Sequence, residues 1–159
     1  MSNQYKCIDL SYLESIAEGD KSIMKDLISI FLEQIPEFVE GLEKNFAQQN
    51  WLDVAAIAHK AKSSVISMGM EDLGNRDLKN LELVSKELHV QQIKEKANPV
   101  PTEEREIEQL TKNLEGYDKE RQIWIKENAK PETVSNIIAK FKTVCQEAET
   151  ELKSEINQE

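Results

Sequence analysis

Apolar residues recur along this chain at steps of three and four, the spacing that lines one face of an α-helix, and no segment alternates as a half-buried strand does. Leu13 and Ile16 mark a short first helix that stops near Gly19, a residue suited to a left-handed terminal turn. Asp20 is placed to cap the next helix, where Ile23, Met24, Leu27, Ile28, Phe31 and Ile35 form one stripe from Lys21 towards Gln34. Pro36 fits the first turn of a helix better than an interior position, so a break is predicted there, followed by a helix carrying Phe38, Val39, Leu42 and Phe46 that runs out near Asn50. Trp51 opens a helix with Val54, Ile57, Ala58, Ala61, Val65 and Met68 on its apolar side, and Gly69 either closes it or lies just inside its last turn. Another begins near Glu71 with Leu73, Leu78, Leu81, Val84 and Leu88.

The later part of the chain is less regular. Asn98-Pro99-Val100-Pro101-Thr102 interrupts the pattern, because each proline removes a donor and biases its predecessor towards extended backbone. Glu103 and Glu104, with Glu106 and Glu108, suit a solvated helix start favoured by the macrodipole. Ile107, Leu110, Leu114, Tyr117, Arg121 and Trp124 then follow a heptad-like seam, weakened by Gly116 and Arg121. Pro131 resets the chain, and Val134, Ile137, Ile138, Phe141, Val144, Cys145, Ala148 and Leu152 define a final amphipathic helix. The expectation is an all-α, antiparallel helical bundle.

Composition narrows the functional classes. The chain has 159 residues, enough for one domain with an appendage, and only five glycines and four prolines. A formal charge of −10 and an isoelectric point near 4.8 oppose binding to nucleic acid or an anionic membrane. Cys7 and Cys145 lack metal-ligand spacing and read as free thiols. The first ten residues hold Lys6 and Asp9 but no apolar run of signal-peptide length, and no run reaches the roughly 20 residues of a membrane span, so a soluble, cytoplasmic protein is expected.

One of the two histidines stands out. On the helix opened by Trp51, His59 points roughly 150° away from the middle of the apolar stripe, towards solvent or a partner. Lys62 and Ser63 neighbour it one turn on, and the small residues Ala55 and Ala56 occupy the turn before. A neutral imidazole, with an unperturbed pKa of about 6.5, is a good nucleophile near neutral pH. His89 has no lysine at the third position and Ile93 at the fourth, and it reads as a solvated or packing histidine.

His59, Lys62, Ser63 and Gly69 reproduce a histidine followed by a lysine three on, a small residue four on and a glycine ten on. This resembles the histidine-containing phosphotransfer (HPt) domain family, with serine in place of the more common glycine at the fourth position. The flanking Phe31-Leu32-Glu33-Gln34-Ile35-Pro36 and Met68-Gly69-Met70-Glu71-Asp72-Leu73 fit the family's helix boundaries, and the likeness extends over about residues 8–88. It implies a single HPt-type four-helix bundle spanning 1–159, with core segments 8–88 and 131–157 and an inserted helical segment at 89–130 where typical members have a short loop. It further implies a phosphorelay carrier, without independent turnover, in which His59 takes a phosphoryl group from a receiver-domain aspartate and returns it to another. Lys62 would stabilise that group, and Ala55, Ala56, Ser63 and Gly69 would admit the partner. The partners implied are response-regulator receiver domains, including that of a hybrid histidine kinase. No bound cofactor or metal is expected on this chain, the divalent cation coming with the receiver.

Two other readings compete. A noncatalytic helical adaptor for receivers or other helical proteins sits poorly with an intact His59 and Lys62, and a helical metalloenzyme lacks paired Glu and His ligands at suitable spacing. No glycine-rich nucleotide loop is present to support self-phosphorylation from ATP.

Overall fold

The computed structural model describes residues 5–157, and among them there is no strand. The helices are α1 (Ser11–Ile16), α2 (Lys21–Ala47), α3 (Trp51–Ser67), α4 (Lys79–Lys94), α5 (Pro101–Glu115), α6 (Lys119–Asn128) and α7 (Pro131–Ile156). A π-helical turn, Leu73–Leu78, leads into α4 without a break. Four long elements, α2, α3, the π turn with α4, and α7, surround one core in which Phe31, Phe38, Leu42, Val54, Ala58, Val65, Leu81, Phe141 and Leu152 are buried. The all-α bundle is as expected.

Several boundaries follow from local chemistry. Asp20 caps α2 through its carboxylate, which accepts from the amides of Ser22 at 2.9 Å and Ile23 at 3.2 Å. Gly19 takes φ +79° as α1 ends. The break predicted at Pro36 is absent, and α2 runs through it. An interior proline costs about 3 kcal/mol, but Phe31, Ile35, Phe38 and Leu42 are buried on both sides of it and their packing favours a continuous helix. Pro36 itself is exposed, so water can replace the donor it lacks.

The π turn answers a peculiarity of the pattern. Leu73 and Leu78 are five residues apart, a step that an α-helix would turn onto different faces and that one i→i+5 turn returns to the same face. Both leucines are buried, and after Leu78 the stripe proceeds regularly through Leu81, Val84 and Leu88.

The N-terminal segment is tied to α7 and to the end of α3. Backbone amides of Lys6, Cys7 and Ile8 donate to the Glu151 carboxylate at 2.9, 3.0 and 3.1 Å. Asp9 N–H donates to the Met68 carbonyl at 3.0 Å. Cys7 and Cys145 are free thiols, and burial is the leading cause that pushes them up to about 11 and about 12.

Residues 89–94, assigned above to the insertion, are the last turns of α4. The predicted seam from Ile107 to Trp124 is not one helix, because the chain turns at Gly116–Asp118 and Asp118 caps α6 by accepting from the Arg121 amide at 2.8 Å. The resulting α5–α6 hairpin packs on α4 through a small second core of Leu83, Leu114 and Ile125, flanked by Tyr117 and Trp124. No helix of the described residues is long and apolar enough to cross a membrane.

Candidate functional site

Helix α3 packs against α2, α4 and the π turn. Its buried arc is consequently wide, taking in Trp51, Val54, Ala55, Ala58, Ala61 and Val65. His59 lies outside that arc with its side chain 66% exposed. Its Nδ1 stands 3.2 Å from Oε1 of Glu82 on α4. A carboxylate only accepts, so this contact requires the proton on Nδ1 and leaves the Nε2 lone pair as the outward, reactive position of the neutral ring.

Glu82 is the anchor of the site, and its side chain is only 5% exposed. Lys86 Nζ meets Oε2 at 2.9 Å, and Lys79 Nζ lies 3.9 Å from Oε1. Burial pushes the Glu82 carboxyl up, but the Lys86 hydrogen bond and charge, the His59 hydrogen bond and the Lys79 charge outweigh it and hold the group below its ordinary 4.5. An ionised, buried acceptor therefore favours one rotation and one tautomer of His59.

The residues named from sequence divide. Ala56 and Ser63 are exposed on the same helix as His59, and Lys62 is half-buried one turn on. Lys62 forms no ion pair among the described residues, which leaves its ammonium available to an incoming anion. Ala55 does not belong with them: it is 2% exposed and turned into the core, so it cannot meet a partner. Gly69 also serves the chain's own packing, since at φ +86° an added Cβ would stand 2.4 Å from both N and O of Asp9. His89 is separate from the site and pairs through Nε2 with Glu106 of α5. Glu103 caps α5, accepting from the Val100 amide at 3.0 Å. Among the described residues, no group of three or more His, Cys, Asp or Glu side chains is gathered as a metal ion would need.

Sequence reasoning missed Glu82, Lys79 and Lys86. Their signal was present: an acid inside the apolar run Leu81-Glu82-Leu83-Val84, with lysines three before and four after, forms one cluster on a helix. Its pairing with His59 depends on how α3 and α4 register, which no single helix encodes.

No curated protein and no solved structure matches the chain. The family model described as the Hpt domain matches residues 26–120, well over half of the sequence and inclusive of His59, Lys62, Gly69 and Glu82. With that match, an all-α bundle and an exposed, carboxylate-held histidine, the chain belongs to the Hpt domain family and has that family's general role of phosphotransfer in two-component signalling.

Proposed function

We propose that this protein is a phosphorelay intermediate: His59 accepts a phosphoryl group from the aspartyl phosphate of one receiver domain and passes it to the aspartate of another. The observation that carries this reading is the pairing of an exposed His59 ring with the buried Glu82 carboxylate at Nδ1. Attack by Nε2 forms an N–P bond as the P–O bond to the receiver's carboxylate breaks, and that carboxylate leaves with the electron pair. The ring, still protonated at Nδ1, then carries positive charge, which Glu82 stabilises at hydrogen-bond distance. Lys62, one helical turn on, offers its ammonium to the transferring oxygens. Ala56 and Ser63 leave room beside the ring for a receiver to approach in line. The divalent cation used in such transfers belongs, in this reading, to the receiver.

In this role the protein carries a group between partners and performs no net reaction alone. The test is to incubate it with phosphorylated receivers and look for acid-labile, base-stable label. Wild type is expected to take up label and His59→Gln none. Absence of label from every cognate receiver, or unchanged labelling of His59→Gln, overturns the proposal.

A further inference from the structure

Both lysines that hold Glu82 are themselves held from the other side, by the α5–α6 hairpin. Lys86 Nζ, 2.9 Å from Glu82, lies 3.5 Å from Oδ1 of Asn113 near the end of α5. Lys79 Nζ sits 5.4 Å from the centroid of the Tyr117 ring, in the turn between α5 and α6. Both lysine side chains are largely covered, 26% exposed for Lys79 and 20% for Lys86. The hairpin is seated by Leu114 and Ile125 on Leu83, the residue next to Glu82, and by Arg121, whose guanidinium bonds Asn80 and stacks 5.0 Å from the Trp124 ring.

We infer that the α5–α6 hairpin is part of the His59 site, with Asn113 and Tyr117 acting as positioning residues that fix Lys86 and Lys79, and through them Glu82 and the imidazole. Neither residue touches the ring. Lysine is a flexible point charge on a long stem, and a carboxylate gripped by two mobile ammonium groups has no single orientation. An amide oxygen on one ammonium and an aromatic face under the other restrict both. Lys79 and Lys86 flank Glu82 at −3 and +4 on α4, so the clamp closes around it from one side while His59 reaches it from α3.

This inference rests on His59 being the phosphoryl acceptor for its kinetic consequence, but its structural consequence can be read without any transfer. The experiment compares full-length wild type with Asn113→Ala, Tyr117→Leu, Tyr117→Phe and their Asn113→Ala combinations. One readout is the ¹⁵N spectrum of the His59 imidazole, whose two nitrogen shifts report the share of each neutral tautomer. The other is the rate of label transfer from a phosphorylated receiver, with helix content and melting followed in parallel. Asn113→Ala with Tyr117→Leu is expected to raise the Nε2–H tautomer and slow transfer by roughly two- to fivefold, the scale of one such cation–aromatic contact. Tyr117→Phe, which keeps the ring, is expected to restore both readouts. Asn113→Ala alone alters a solvent-exposed side chain and keeps the test sound if Tyr117→Leu disturbs the hairpin. A wild-type tautomer signature in the combined variant overturns the inference, as does a Tyr117→Phe variant that behaves like Tyr117→Leu. Failure of every receiver to label wild type would instead strike the relay reading, and the tautomer shift would still decide the clamp.

Discussion

Comparing Gly69→Ala with Gly19→Ala separates the cost of a left-handed backbone from the cost of crowding. Gly19 and Gly69 both have positive φ, +79° and +86°, so alanine at either pays the left-handed penalty of about 1 kcal/mol. Both also gain the same small benefit from a stiffer unfolded chain. They differ in surroundings. Nothing lies within 4 Å of a Cβ at Gly19, whereas at Gly69 the new atom would stand 2.4 Å from Asp9 N and O and 2.5 Å from its Cβ. Backbone cannot rotate away as a side chain does, so the N-terminal segment must shift. That adds about 1–3 kcal/mol of overpacking and roughly 1 kcal/mol for the Asp9 N–H to Met68 carbonyl bond. Gly19→Ala should therefore cost about 1 kcal/mol and Gly69→Ala about 3–5 kcal/mol. In urea titrations followed by circular dichroism, a slope of about 2 kcal/mol/M makes these midpoint shifts of roughly 0.5 M and 2 M. Equal shifts for the two variants would refute the packing account of Gly69. So would a Gly69→Ala protein of wild-type stability that has lost receiver labelling, since that would return the residue to the docking surface.

Glu82→Gln should destabilise the bundle at neutral pH by about 1–3 kcal/mol, because two partly covered lysines lose their counter-charge. Since the folded carboxyl is held below its ordinary 4.5, this contribution is present above that value and fades as pH falls through the folded pKa. Chemical denaturation across pH should show the two proteins converging in acid, and a gap that widens in acid would contradict the sign. Ser85 is fully buried with its hydroxyl oxygen unpartnered among the described residues, so Ser85→Ala should hold or raise the melting temperature, with a gain of up to about 1 kcal/mol; a loss of that size would show a hidden partner. Glu151→Gln should cost about 1–2 kcal/mol and speed hydrogen exchange at the Cys7 and Ile8 amides, which lose an ionised acceptor. Unchanged exchange at both amides would mean that the carboxylate does not hold this segment.

What could be read from sequence was what one helix decides alone. The limits of α3 and the exposure of His59 follow from its apolar stripe, since burial on one side imposes a period of 3.6. Asp20 and Gly19 were legible because capping and left-handed turns act through the residue itself. Pro36 was misread because a local penalty was set against packing that comes from other helices. Ala55 was misread because the width of a buried arc depends on the number of neighbours, and α3 has several. Glu82 was not connected to His59 because that contact crosses 23 residues and requires the α3–α4 register to be known. The turn at Gly116–Asp118 hid behind a seam whose spacing continues through it, although Asp118 three before Arg121 carried a capping signal.

The π turn between α3 and α4 gives the chain a spare residue. In an α-helix Leu73 and Leu78 would share a face if only three residues, rather than four, separated them. A chain lacking exposed Asn75 could close this turn with ordinary i→i+4 bonds and keep both leucines in the core. Every residue after the turn, Glu82 included, would retain its place opposite α3. The helix can thus absorb a change of one residue in length while the pairing of His59 with its carboxylate is conserved in space.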